Sequence, residues 1–294
     1  MIIANLNGGL GNQMFQYANA KAIAMRKGVN FLVDTSLYEK KRMHQGFELG
    51  KIFKLPVRVA TKADLKQVLG TFQSPLAYRI LARLPLLKSL SKKFIAEAHF
   101  EYWDGLHNCP NEAYLFGYWQ SERYFLDYEA DIRREFTFQP FQDQSNIALA
   151  QKIQESQCAV SVHVRRGDFV NNPKANTFHG ALSPSYYSDA LAFLARALPA
   201  MELFVFSDDI QWVKDNLDLS AYPVHFVSHN TGINSYQDMA LMSLCEHHVI
   251  ANSSFSWWGA WLNASQDKIV IAPKRWFVQP MNTKDLIPAA WIRL

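Results

Sequence analysis

From residue 158 to residue 272 the chain alternates short apolar runs with helical segments, and this rhythm leaves few folds open. Cys158-Ala159-Val160-Ser161-Val162 opens a buried strand that reaches position 164. Ser183-Pro184 starts a helix to about Ala197, with proline at the favoured first position. Leu203-Phe204-Val205-Phe206 is a strand ending in Ser207-Asp208-Asp209; a helix follows, then the strand Val224-His225-Phe226-Val227. A helix over 236–245, a strand at Val249-Ile250-Ala251, a short helix from Ser254 and a strand over 268–272 complete the series. Strands alternating with helices through short links argue for parallel strands joined by right-handed crossovers.

The first half opens in the same way. Residues 2–6 read as a strand, Gly8-Gly9-Leu10-Gly11 as a glycine loop and residues 12–27 as a helix, with Met14, Phe15, Ala18, Ala22 and Met25 at helical spacing. Gly28 closes the helix before a second strand over 29–34, which makes this the first unit of a doubly wound sheet. Residues 36–110 are less regular. Tyr114-Leu115-Phe116-Gly117-Tyr118-Trp119 reads as another strand, and residues 128–138 as a helix and crossover. Residues 139–156, rich in Gln and Asp, read as a linker between a lobe over 1–140 and a lobe over 157–294. A length of 294 residues suits two such lobes.

Composition narrows the function. A net charge of +4 is too modest for a nucleic-acid partner and compatible with an anionic small ligand. Cys109, Cys158 and Cys245 are odd in number and lack metal-ligand spacing, so buried thiols in a reducing compartment are expected. Met1 is followed directly by strand-like residues, with no secretory leader and no stretch of transmembrane length. A cytoplasmic protein is expected, with nothing attached at the sequons of Asn252 and Asn263. Residues 76–94 mix Leu and Ile with Arg79, Arg83, Lys88, Lys92 and Lys93. They read as surface helices, or as a basic patch making peripheral contact with an anionic membrane surface.

Four loops fall where open parallel sheets bind ligands, outside the carboxyl ends of strands. The most informative is His163-Val164-Arg165-Arg166-Gly167-Asp168, because two guanidiniums at the end of a buried strand are costly unless something anionic meets them. A diphosphate would serve. Alternation along the strand puts Ser161, His163 and Arg165 on one face and Arg166 on the other. Arg165 is therefore expected on the phosphates, and Arg166 on an acid such as Asp168 that braces the loop. In the glycine loop, Gly9 and Gly11 permit close backbone approach, and Asn12 and Gln13 start a helix that favours negative charge. The dinucleotide fingerprint fails at Met14, and no Walker pattern follows. Ser207, Asp208 and Asp209 read as helix caps, a divalent-metal pair or acceptors from a ribose or base. Ser253, Ser254, Phe255 and Ser256 begin a helix just after an apolar strand, which is either an anion cradle or plain capping. Asp238, on the first turn of its helix, either serves the macrodipole or accepts from a guanine edge.

Taken together, these residues resemble glycosyltransferase family 11, the α-1,2-fucosyltransferases. His163-Val164-Arg165-Arg166-Gly167-Asp168 is similar to that family's His-x-Arg-Arg-x-Asp motif. Gly8 to Tyr17, Phe206-Ser207-Asp208-Asp209 and Asn252 to Trp261 match further blocks in the right order. The resemblance implies a GT-B fold of two facing Rossmann-like lobes, with the acceptor on the first and GDP-fucose on the second. It implies inverting transfer of L-fucose to the 2-hydroxyl of a terminal galactoside, on an oligosaccharide or lipid-linked glycan in polysaccharide biosynthesis, with no cofactor and no metal. Arg165 would hold the diphosphate, Ser253, Ser254, Phe255 and Ser256 would cradle it, and Asp238 would face the guanine. Asp168 is the expected general base and His163 the second choice. The animal members' membrane anchor is not seen. The alternatives are a fucosyltransferase of another linkage, such as α-1,6, a nicotinamide-dependent oxidoreductase, and a non-catalytic nucleotide- or carbohydrate-binding protein using Trp257 and Trp258.

Overall fold

A computed structural model describes residues 1–40, 44–70, 92–167 and 173–294. The chain divides into two compact units, Met1–Thr137 with Asn282–Leu286, and Phe138–Met281 with Ile287–Leu294.

The first unit is built on four parallel strands, β1 (Ile2–Asn5), β2 (Phe31–Asp34), β3 (Phe94–Ala96) and β4 (Ala113–Phe116), in the order β2-β1-β4-β3. Helix Leu10–Lys27 links β1 to β2. It ends where Gly28 turns left-handed (φ 63°) and its N–H reaches the carbonyls of Ala24 and Met25, a stop that residues with a Cβ make poorly. At the carboxyl ends of the strands, Asn5 Nδ2 donates to Tyr114 Oη (2.9 Å) and Tyr114 Oη to Asp34 Oδ2 (2.6 Å). One buried chain of hydrogen bonds thus ties β1, β4 and β2. Of the basic stretch expected over 76–94, residues 76–91 lie outside the described residues. Its end is no helix: Lys93 pairs with Glu112 (2.6 Å) and Phe94 begins β3.

The second unit carries six parallel strands: β5 (Ala159–Val164), β6 (Glu202–Ser207), β7 (Val224–Val227), β8 (His247–Val249), β9 (Val270–Ala272) and β10 (Ile292–Arg293). Their order is β10-β9-β8-β5-β6-β7, so successive strands add outward on one side of β5 and then, from β8, on the other. Both faces are covered, which is why the strands read as continuous apolar runs. Val160, Val162, Val164, Leu203 and Val205 pack with Leu191 and Leu194 of helix Pro184–Ala195. Phe204 and Phe206 pack on the opposite face with Ala150, Ile153, Leu241 and Met242. The expected linker is corrected by this face. Residues 144–155 form helix Gln144–Glu155, capped by Asp143 through the Asn146 N–H (2.9 Å), and its Ala150 and Ile153 complete the core. Its Gln and Asp content belongs to the outer surface of a packed helix.

The tryptophan-rich segment is core. Helix Ser254–Leu262 buries Trp257 and Trp258 completely, and Trp257 lies 5.0, 6.1 and 5.4 Å, centroid to centroid, from Trp258, Trp261 and Trp291. That packing removes the reading of Trp257 and Trp258 as a sugar-stacking platform. The sequon asparagines are buried as well. Asn252 Nδ2 donates to the carbonyls of His179, Gly180 and Trp276, and Asn263 Nδ2 to those of Cys245 and Glu246 and to His248 Nε2 (2.9 Å). Because His248 Nε2 accepts, its Nδ1 carries the proton and donates to Ser161 Oγ (2.7 Å). This chain pins helix Ser254–Leu262 to β5 and β8. Asn263→Ala is expected to lower stability by about 3 kcal/mol, since it strands three buried acceptors; urea unfolding measures it.

Candidate active site

Strand order in the second unit reverses between β5 and β8, the place where open parallel sheets leave a crevice for ligands. The end of β5 meets the helix that follows β8 there, with the His163 ring 5.9 Å from that of Phe255.

The double-arginine loop is set by register. β5 pairs with β6 up to Val164 opposite Ser207, so Arg165 and Arg166 leave the sheet level with Asp208 and Asp209. Arg165 Nη1 meets Asp208 Oδ2 at 2.7 Å, and the Arg166 N–H donates to Asp208 Oδ1 at 2.8 Å. Arg166 turns the other way. Its Nε is 3.4 Å from Asp209 Oδ2 and its guanidinium lies 3.8 Å over the Trp212 ring. The two arginines therefore have separate roles, as alternation predicts, but Arg166 is braced by Asp209 and Trp212. Asp168, its expected partner, lies outside the described residues. Gly167 is held close, since a Cβ there would sit 2.7 Å from Asp208 Oδ2.

These contacts correct the reading of the acidic pair. Asp208 is the buttress of Arg165, not a free acceptor for a ribose. Asp209 Oδ1 accepts the Trp212 N–H (3.1 Å) and caps helix Ile210–Asn216, and Ser207 Oγ accepts the Asp209 N–H (2.9 Å). Both carboxylates thus hold the loop together. Elsewhere among the described residues, Cys158, Glu246 and His247 bring three metal-type ligands within 4.8 Å, at the amino ends of β5 and β8. His247 Nδ1 already accepts the Ile269 N–H (3.0 Å), so Nε2 carries the proton and the triplet is not a ready ligand set.

The second strand-end loop offers an open helix start. Ser253 caps helix Ser254–Leu262 through the Phe255 N–H (3.3 Å), and Ser256 Oγ is buried against the carbonyls of Ala251 and Ser253. Ser256 therefore holds the turn, while Ser253, Ser254 and Phe255 are only partly buried at its surface. Three buried polar atoms around the two loops have no protein partner: His163 Nδ1, Asn252 Oδ1 and Tyr187 Oη. Buried polar groups are ordinarily satisfied, so such a group marks a place where a ligand or water completes the bonding. His163 is a poor base here, because burial pushes its pKa down to about 4 and keeps the ring neutral.

Asp238 stands on the first turn of helix Tyr236–Leu244 and accepts from Asn230 Nδ2 (2.8 Å). Burial pushes its pKa up to about 7, with the Asn230 N–H acting in the opposite direction. A cavity of about 320 Å³ shares Asn230 with this carboxylate and is lined also by Phe141, His229, Tyr236 and Gln237. Asn230 escaped the sequence reading, since nothing in its neighbourhood sets it apart from a surface loop.

In the first unit, Gly8 takes a left-handed φ of 79°, and a Cβ there would lie 2.6 Å from Asn12 Nδ2. Gly9 begins helix Leu10–Lys27 with no side-chain cap, Gly11 is buried and Asn12 is partly exposed, accepting from Gln120 Nε2 (2.7 Å). Gln13 departs from its expected ligand role. It is fully buried, donates to the Gly46 and Gly8 carbonyls and accepts the Glu48 N–H, so it braces the loop from beneath. Glu97, just past β3, was not anticipated. It accepts the N–H groups of Tyr118 (2.7 Å) and Trp119 (3.0 Å), and burial still raises its pKa to about 7.

A braced guanidinium and a helix start at the switch point of a parallel sheet form an arrangement suited to holding an anionic group. The whole chain, residues 1–294, matches the model of glycosyl transferase family 11, and the chain belongs to that family. It is 35% identical to the alpha-1,2-colitosyltransferase of Escherichia coli over 298 residues, covering 100% of this chain and 99% of that protein. It is 34% identical to the O-antigen biosynthesis glycosyltransferase WbnK of Escherichia coli, over 98% of this chain and 99% of that protein. Human galactoside alpha-(1,2)-fucosyltransferase 1 is 25% identical over 90% of this chain and 66% of its own length. A crystal structure of NodZ alpha-1,6-fucosyltransferase soaked with GDP-fucose superposes with a TM-score of 0.50 at 15% identity, over 89% of this chain and 91% of that one. The fold is of the GT-B type, with two parallel α/β units, and the protein is a glycosyltransferase. Among the described residues, no helix is long and apolar enough to cross a membrane.

Asp209→Ala is expected to lower stability by about 1–2 kcal/mol, because it removes a helix cap and a partner of Arg166 together; chemical denaturation checks it.

Proposed function

We propose that this glycosyltransferase moves L-fucose from GDP-fucose to the 2-hydroxyl of a terminal galactoside with inversion at the sugar carbon. The observation that supports it most directly is the Asp208-buttressed Arg165 just past β5, a strand whose His163 ring lies 5.9 Å from that of Phe255 in the first turn of helix Ser254–Leu262. As fucose leaves, negative charge grows on the diphosphate and positive character on the sugar. A guanidinium already held in place and N–H groups already aligned stabilise that charge without reorganising. Asp238 is suited to accept from guanine N–H groups when ionised. The acceptor hydroxyl needs a general base, and we assign Asp168 on the family motif, with His163, buried in β5, as the second choice. The acceptor we infer is a galactoside-terminated glycan, carried on a lipid during polysaccharide assembly, and the reaction needs no metal in this reading.

The 35% identity to a colitosyltransferase favours one second reading, transfer of colitose from its GDP-activated form. Colitose is fucose without the 3-hydroxyl, so leaving group and phosphate site are unchanged, and the two donors differ by one hydrogen-bonding group. Steady-state assays with GDP-fucose and with GDP-colitose, on a panel of galactosides and with linkage analysis of the product, decide between them. A product joined elsewhere than the 2-hydroxyl would overturn the proposed linkage.

Arg165→Ala is expected to reduce kcat by about 100-fold or more, corresponding to roughly 3 kcal/mol of lost leaving-group stabilisation. Arg165→Lys should not restore it, because a point charge lacks the planar fork. Near-wild-type turnover of either variant removes Arg165 from the mechanism.

A further inference from the structure

Behind Asp238 lies a chain of side chains whose donors and acceptors admit one orientation. Asn146 and Asn230 face each other amide to amide: Asn146 Nδ2 donates to Asn230 Oδ1 (2.8 Å) and Asn230 Nδ2 to Asn146 Oδ1 (2.9 Å). Both residues are buried. An amide pair of this kind can be flipped as a unit, so something outside it must choose the direction. Asp143 does so at one end. Its carboxylate only accepts, and its Oδ2 takes the other hydrogen of Asn146 Nδ2 (2.8 Å) while its Oδ1 takes the Asn146 backbone N–H. His229 Nε2, 2.9 Å from Asn146 Oδ1, agrees with that polarity. At the other end, the remaining hydrogen of Asn230 Nδ2 is directed at Asp238 Oδ1 (2.8 Å). Were Asn230 reversed, its carbonyl oxygen would face that carboxylate oxygen.

We propose that Asn230, locked by Asn146 and Asp143, is a positioning residue that holds the Asp238 carboxylate in place as an acceptor. It thereby sets the preference for a base edge bearing two adjacent N–H donors; this rests on the reading of Asp238 as the guanine contact. Guanine has such an edge, in N1–H and the exocyclic amine. Hypoxanthine keeps the first donor and lacks the second, so inosine diphosphate is the matched probe.

The pH dependence follows with a definite sign. Asp238 titrates near 7, and only its ionised form can accept from both donors. Binding therefore weakens as pH falls through about 7. The Asn230 N–H favours the ionised carboxylate, so removing it moves this midpoint upward. The titratable groups on the surrounding elements are Asp143 and His229, both engaged with Asn146, Tyr236 two residues earlier on the same helix, and Lys152 and Glu155 at the far end of helix Gln144–Glu155. Helix Ser254–Leu262 carries none.

The test is calorimetric titration of the full chain with GDP and with inosine diphosphate, from pH 6 to 8.5 (about the range spanning this titration), for wild type, Asn230→Ala and Asp238→Asn. Wild type should favour GDP by about tenfold or more, as expected for a hydrogen bond to a charged group. Asn230→Ala should lose most of that preference and shift the pH midpoint upward. Titration of the diphosphate itself is common to all proteins and cancels in the difference. If Asn230→Ala does not fold, Asn230→Ser, which is too short to span Asn146 and Asp238, takes its place. Loss of the preference in Asp238→Asn but not in the Asn230 variant would overturn the positioning role and leave the guanine contact standing. An Asp238→Asn protein that discriminates as well as wild type would overturn both.

Discussion

Two arginines at the end of a strand buried on both faces would repel each other and resist desolvation. What makes them tolerable is the acidic pair one strand away. The β5–β6 register brings Asp208 level with Arg165 and Asp209 level with Arg166, and each carboxylate has a second duty that keeps it in place. Asp208 also takes the backbone N–H of Arg166, and Asp209 caps the next helix. A slip of one residue in this pairing would invert the faces of β5 and separate every one of these partners. The placement of Arg165 therefore depends on strand pairing as much as on the arginine itself.

The same economy of duties recurs around the site. Asn263 secures the helix whose start faces the switch point, through His248 and Ser161 on the two strands flanking it. Gln13 and Tyr38 hold the Gly8 carbonyl and so shape the glycine loop of the first unit. Buried polar groups of this sort contribute little net stability when paired and cost much when stranded, so their main effect is to specify one arrangement. They are the reason two loops and a helix start can be held to the tolerance that charge stabilisation requires.

Much of the second unit was legible because a strand covered on both faces must be apolar throughout and must return through a helix. That pattern located β5 to β9 and the loops at their carboxyl ends, with the double-arginine motif among them. It did not locate β10, two residues long, nor the helix over 144–155, whose outer face is so polar that it reads as a linker. The differing roles of Arg165 and Arg166 were readable from strand alternation, but their partners were not. Asp209 is 43 positions from Arg166 in sequence, and only β-pairing makes them neighbours. Asn146 and Asn230, 84 positions apart, gave no local sign at all.

The sequence by itself determined what is periodic or compositional: a parallel α/β architecture, polar and charged loops at strand ends, and the motifs that place the chain in its family. Those follow from short-range rules of backbone geometry and burial. Tertiary structure alone decided which polar side chains are buried against one another. It moved Gln13, Ser256 and Asp208 into support and brought Asn230 to Asp238. The reason is that hydrogen bonds are directional and short, so a polar residue's role is set by the few atoms within about 3 Å of it. Those atoms come from distant parts of the chain.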